Sequence, residues 1–180
     1  MLHEVIIAGF GGQGIMSMGQ LLASAAMLEK KEVSWLPSYG PEMRGGTANC
    51  TVILSDNKIG SPIISSPNCT IVMNKPSLDK FKSLTAKNGL LIYNSSLIDA
   101  EIERTDLTII AIPANDIANQ IGNSKVTNTV TLGAFIGATN AVHIDSVIKS
   151  LEKILPQNSE ELLIQNKKAL EKGKKVGCRL

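Results

Sequence analysis

Two runs of this sequence combine residue types that can hold an anion. The first, Gly9-Phe10-Gly11-Gly12-Gln13-Gly14, comes directly after the apolar run Val5 to Ala8; the second is Pro37-Ser38-Tyr39-Gly40-Pro41-Glu42-Met43-Arg44-Gly45-Gly46. In the first run, a glycine at the first position permits a tight turn, and one at the second leaves room for a ligand backbone or phosphate. Gly14 lets a helix after it pack closely on the strand, and the free N–H groups at that helix start face a potential anion. In the second run, two prolines restrict the chain and three glycines permit close approach. Between them, Arg44 can grip an anionic group, Glu42 can hold Arg44, and Tyr39 can stand beside a ligand or a partner. A rigid partner-facing loop whose polar groups satisfy one another accounts for the same residues.

The residues beyond the glycines narrow the ligand. A dinucleotide-binding unit offers an acidic residue at the end of its second strand, roughly twenty residues on, for the ribose hydroxyls. The second strand reads as Glu32 to Leu36; Glu32 opens it and Glu42 lies beyond it, inside the loop. Neither stands where the ribose acid belongs. NAD is thereby disfavoured, and a mononucleotide, a coenzyme phosphate or a purely structural turn stay open.

The elements that must position these runs are set by periodicity. Gly12 to Lys31 reads as a helix, with Ile15, Met18, Leu22, Ala25 and Ala26 on one face. Strands are predicted at Thr47–Ser55, Cys69–Met73, Leu90–Tyr93 and Thr108–Ile112. Helices are predicted from Pro76 to Leu84, around Asp116–Ile121, over 128–141, over Ile144–Leu155, and from Ser159 to about Lys172. Gly133, Gly137 and Ala141 recur four residues apart, a spacing that admits another element closely. Asn128, Thr129 and Thr131 are candidate caps that reach the ligand edge, and His143 or Asp145 caps the helix after them. The alternation of strand and helix predicts an α/β fold: one Rossmann-like, three-layer domain over residues 1–180 with a mostly parallel sheet. The later short strands can make one edge mixed, and residues 157–180 form a C-terminal helical segment.

Composition sets the outer bounds. With 180 residues, 43% hydrophobic and 19% charged, the chain can bury one substantial, mainly aliphatic core. Aromatics are 3% and the net charge is +2, which leaves few platforms for stacked bases. Lys167, Lys168, Lys172, Lys174, Lys175 and Arg179 form a local basic excess relieved mainly by Glu171; a solvated helix end is the simplest reading, ahead of nucleic acid or membrane. No apolar stretch is long enough to span a membrane, and the first strand starts too near Met1 for a secretion signal. Cys50, Cys69 and Cys178 are too widely spaced for a zinc or iron–sulfur pattern, and they fit a reducing cytoplasm. No residue is a secure nucleophile or metal ligand.

The two glycine-bearing runs, at their spacing and with Thr129-Val130-Thr131-Leu132-Gly133-Ala134 further on, resemble the gamma subunit of the 2-oxoacid:ferredoxin oxidoreductases acting on pyruvate, ketoisovalerate or 2-oxoglutarate. The resemblance extends over most of the chain. It implies one subunit, inactive alone, of an enzyme that oxidatively decarboxylates a 2-oxoacid to acyl-CoA and CO2, with a slight preference for 2-oxoglutarate. It also implies thiamine diphosphate, a divalent cation and iron–sulfur clusters on partner chains, and coenzyme A as co-substrate. The implied partners are alpha and beta subunits, a ferredoxin-like delta subunit, and ferredoxin as electron acceptor. On this resemblance Gly9, Gly11, Gly12, Gln13, Gly14, Tyr39, Glu42, Arg44, Gly45 and Gly46 shape a coenzyme-binding site. An independent nucleotide-dependent oxidoreductase and a noncatalytic assembly module are the alternatives.

Overall fold

The computed structural model describes residues 1–38, 47–156 and 159–179. Six strands form one sheet: β1 (Leu2–Phe10), β2 (Glu32–Ser38), β3 (Thr47–Ser55), β4 (Cys69–Val72), β5 (Leu90–Asn94) and β6 (Thr108–Ile112), in the order β2-β3-β1-β4-β5-β6. Among the described residues six α-helices accompany them, α1 (Ile15–Leu28), α2 (Lys75–Phe81), α3 (Ala114–Ile121), α4 (Thr127–Thr139), α5 (Ile144–Ile154) and α6 (Glu160–Gly177), and a 3-10 turn (Ser124–Val126) leads into α4. The strands β1, β4, β5 and β6 pair in parallel, while β3 runs antiparallel to both β1 and β2. The fold is therefore the expected mostly parallel α/β sheet between helical layers.

The antiparallel strand is β3, however, and not one of the later short strands. Only residues 39–46 join β2 to β3, and a parallel return needs a crossover of a dozen residues or more. The short connection makes β2 and β3 a hairpin, which adds beside β1 and leaves β2 as the edge strand.

Burial matches the sequence pattern. Val5, Ile7, Val52, Ile71, Ile92 and Ile110 point to one face, where they meet α1, α3, α4, α5 and α6 in the larger core. Ile6, Ala8, Val72 and Leu91 point to the other face and are covered by Leu78 and Phe81 of α2 and by Ile98. Helix α4 buries Thr129 through Gly137 without a break, so it has no solvent stripe. Cys50 and Cys69 are buried, as expected of small core residues. Burial pushes the Cys50 thiol up to about 11 and that of Cys69 further still, so neither is a thiolate at neutral pH. Trp35 Nε1 is enclosed without an oxygen acceptor and lies against Cys50 in the space that Gly19 leaves open.

Helix α6 crosses α4 through reciprocal glycines. A Cβ on Gly133 would overlap the Leu170 carbonyl, and one on Gly137 the Lys174 carbonyl. One on Gly173 would overlap the Val130 carbonyl, and one on Gly177 that of Ala134. Gly133 and Gly137 act as their spacing predicts; Ala141 lies past the end of α4 and takes no part.

His3, on β1, sets an acid limit on this core. Its ring meets Phe135 edge-on, with centroids 6.1 Å apart at 81°, and its Nε2 is enclosed without a partner. Burial, reinforced by the charge of Lys31, lowers its pKa below the ordinary value. The unfolded chain then binds a proton that the folded chain refuses, so stability is full above about pH 6.5 and declines as pH falls below it. Urea midpoints between pH 8 and 5 are expected to fall on the acid side, and the His3→Leu variant is expected to show a flatter profile.

Candidate functional site

The chain reverses its winding at β1. From there α1 carries it to β2 on one side of the sheet, whereas β4 leads through α2 to β5 on the other. A crevice outside the carboxyl ends of the strands is expected at such a switch point. A cleft of about 570 Å³ occupies that place, lined by Gly12, Gln13, Gly14, Ser17, Met73, Asn115, Ser124, Lys125, Thr127 and Asn128.

Side-chain amides build its walls. Gln13 Oε1 accepts from the Phe10 N–H at 2.7 Å and from Asn74 Nδ2 at 3.2 Å, and Gln13 Nε2 donates to the Met73 carbonyl at 3.2 Å. The glycine turn is thus tied to the end of β4. Asn74 also caps α2 through the Ser77 N–H. The fully buried Asn94 accepts from the Ala114 N–H at 3.2 Å and donates to Asn115 Oδ1 at 2.7 Å, which holds Asn115 on the cleft wall with its Nδ2 as donor.

Each glycine has a different reason. A Cβ at Gly9 would lie 2.7 Å from both Gln13 Oε1 and Ile15 Cδ1, so Gly9 is where strand, turn and helix close on one another. Gly11 and Gly12 face open space, and Gly12 needs its φ of +90°. Gly14 has φ +73°, and its Cβ would lie 2.5 Å from Asn128 Nδ2, which donates to the Gly14 carbonyl at 3.3 Å. The motif's spacing predicts close strand packing at Gly14; that role falls to Gly9, and Gly14 joins the start of α1 to the start of α4.

This junction concentrates positive potential. The start of α1 has no side-chain cap, whereas α4 continues from a 3-10 turn (Ser124–Val126) whose Lys125 N–H is taken by Asn123 Oδ1 and whose Thr127 N–H is taken by the Ser124 carbonyl; Asn128 brings this start beside that of α1 at the cleft. Uncapped first-turn N–H groups carry the positive end of the helix dipole. Lys125 lines the same cleft, forms no ion pair among the described residues, and has no lining carboxylate opposite it. The arrangement can hold an anion with tetrahedral oxygens.

Of the residues expected at the site, Gly12, Gln13 and Gly14 line the cleft, and so does Asn128. Gly9 and Gly11 flank the cleft without lining it. Thr129 turns away to donate to Asn166 Oδ1, and Thr131 donates to the Thr127 carbonyl. His143 begins α5 without a side-chain cap bond. Tyr39, Glu42, Arg44, Gly45 and Gly46 lie outside the described residues. Ser17, Asn115 and Lys125 are cleft residues that sequence reasoning does not single out. Lys125 has a usable signal, because a lysine just before a helix start opposes the dipole unless an anion joins it. Among the described residues no group of three or more His, Cys, Asp or Glu side chains is placed to hold a metal ion, and no helix is long and apolar enough to cross a membrane.

The family model for pyruvate ferredoxin/flavodoxin oxidoreductase matches residues 4–176. The chain belongs to this family. Within it, the chain is a gamma-type domain of the 2-oxoacid:ferredoxin oxidoreductases. Ketoisovalerate oxidoreductase subunit VorA of Methanothermobacter thermautotrophicus is 37% identical over 170 residues, covering 94% of this chain and 35% of that relative. The chain thus spans about a third of the length of that ketoisovalerate relative. The 2-oxoglutarate synthase subunit KorC of Methanocaldococcus jannaschii is 34% identical over 183 residues, covering 100% of this chain and 96% of KorC. The 2-oxoglutarate:ferredoxin oxidoreductase of Magnetococcus marinus, solved with 2-oxoglutarate, coenzyme A and succinyl-CoA bound, superposes with a TM-score of 0.90 at 24% identity. It covers 99% of this chain and 31% of that one. At that identity the likeness is one of fold.

Proposed function

We propose that this chain is a single-domain gamma-type component of a 2-oxoacid:ferredoxin oxidoreductase and that its cleft holds a phosphate of coenzyme A. The observation that carries the proposal is the meeting of the uncapped start of α1 with Lys125, at the start of α4, in a cleft with no carboxylate among its described lining residues. Coenzyme A supplies the thiol that takes up the acyl group. The residues of this chain bind and orient it: first-turn N–H groups, Ser17 and Lys125 take the phosphate oxygens, while Gln13 keeps the glycine turn open for them. Tyr39, Glu42, Arg44, Gly45 and Gly46 extend the same site, with Arg44 as a second cation.

Thiamine diphosphate, its divalent cation and the iron–sulfur clusters belong to alpha, beta and ferredoxin-like delta subunits in this reading, with ferredoxin as the acceptor. The preferred substrate is 2-oxoglutarate, supported by the likeness to KorC along 96% of that relative. An independent NAD-dependent enzyme is disfavoured because the described cleft lining has no acid for a ribose and β2 ends at Ser38. The test is low-stringency purification from the native cell, with identification of copurifying chains and assay with several 2-oxoacids, coenzyme A and a low-potential acceptor. Coenzyme A-dependent reduction by a multi-chain assembly is expected; a single chain active alone would overturn the proposal.

A further inference from the structure

The basic excess near the end of the sequence is unused by the cleft, and α6 gives it a definite form. Lys168, Lys172, Lys175 and Arg179 are all exposed. Their spacing of four, three and four residues places them within roughly 60° of arc, along about 16 Å of axis or its continuation. The buried face of α6, formed by Asn166, Ala169, Leu170, Gly173 and Gly177, lies away from this stripe and is locked onto α4 by the glycine crossing. The four cations are therefore displayed on a rigid backbone.

None of the four forms an ion pair among the described residues, whereas Lys167 and Lys75 pair with Glu152 and Asp79. Glu171 lies on the flank of the stripe and pairs with none of them. Like charges three or four apart on a helix each cost about 0.2–0.5 kcal/mol, and three such pairs run along the stripe. The helix dipole favours Lys175 and Arg179 at the end of α6, but its effect fades beyond the last turn and does not reach Lys168 or Lys172. From Lys168 to Arg179 the stripe carries four cations in succession, with Glu171 at its flank and Glu161 two turns before it.

We infer that the stripe docks on an acidic surface of another polypeptide in the assembly, an inference that rests on the multi-subunit reading above. Charge complementarity names the partner's chemistry: Asp and Glu side chains in a row of similar length. A single-stranded nucleic acid is less suited, because Glu160–Gly177 contains no aromatic residue for base stacking. A lipid surface is less suited, because no large apolar row borders the cations for insertion.

The experiment uses the complex purified with this chain. Zero-length carbodiimide crosslinking is expected to join Lys168, Lys172 or Lys175 to Asp or Glu of another subunit. The charge-reversed triple variant Lys168→Glu, Lys172→Glu, Lys175→Glu, with an unchanged circular dichroism spectrum, is expected to bind the remaining subunits at least about tenfold more weakly at low salt. It should also lose most of the salt dependence, and the Lys→Gln triple should fall between. Unchanged affinity in the triple variant, or an absence of those crosslinks from the intact complex, overturns the inference. So does binding of a 20-nucleotide single strand or phosphatidylglycerol vesicles that the reversal abolishes while assembly stays intact. If the wild-type chain assembles with no other subunit, the proposed function fails first and the inference fails with it.

Discussion

Gly173→Ala is expected to destabilise the fold by about 2–4 kcal/mol, which for a chain of this size lowers the thermal midpoint by roughly 5–15 °C. In a solvent-exposed helix interior the same change would stabilise by about 1 kcal/mol through propensity. Here the new methyl would collide with the Val130 backbone carbonyl. Backbone cannot rotate out of the way as a side chain can, so α6 must lift from α4 and uncover the apolar surface between them. The comparison variant is Gly60→Ala, where nothing lies within 4 Å of the added carbon. Thermal melts of the two variants should separate widely; equal midpoints would show that the α4–α6 crossing is not tight.

Gly14→Ala is expected to damage the fold and the cleft together. Two costs combine. A non-glycine residue at φ +73° costs about 1–2 kcal/mol, and the Cβ placed 2.5 Å from Asn128 Nδ2 adds an overpacking cost of about 1–3 kcal/mol. Relief of the second cost requires Asn128 to move, which separates the starts of α1 and α4. The double variant Gly14→Ala, Asn128→Ala should recover the steric part and leave the backbone part, so the two changes should be non-additive in urea titrations. Strict additivity would mean that the two residues do not share one junction.

These two positions mark where the sequence is legible and where it is not. The strands are readable because Val5–Ala8, Cys69–Val72 and Leu90–Tyr93 are apolar runs that suit a sheet covered on both sides, and Thr108–Ile112, at the edge, is an apolar run that leaves Thr108 and Ala111 exposed. Helix ends are less readable. Helix α1 begins at Ile15 and not at Gly12, because Gly12 and Gly14 sit at positive φ and cannot join a helix. Helix α6 runs on to Gly177, past the expected end near Lys172. Glycine by itself signals a helix end, and only the facing carbonyls of α4 reveal that Gly173 and Gly177 are contact positions.

The cleft is half legible for a related reason. Local motif spacing identifies the glycine turn, but Asn115, Ser124 and Lys125 lie more than a hundred residues away and arrive only when α3 and α4 dock beside β1. The junction includes a hydrogen bond, Asn128 to Gly14, that spans 114 residues of sequence. No periodicity encodes such a pairing.

The most direct test of the central claim is the affinity of the purified assembly for coenzyme A, measured by calorimetry with the wild-type chain, Lys125→Arg and Lys125→Glu. A charge-assisted bond to phosphate contributes about 1.5–3 kcal/mol, so Lys125→Glu should weaken binding roughly 10- to 100-fold, whereas Lys125→Arg should retain most of it. Identical coenzyme A affinity in Lys125→Glu and wild type, with assembly intact, would contradict the assignment of this cleft to the coenzyme.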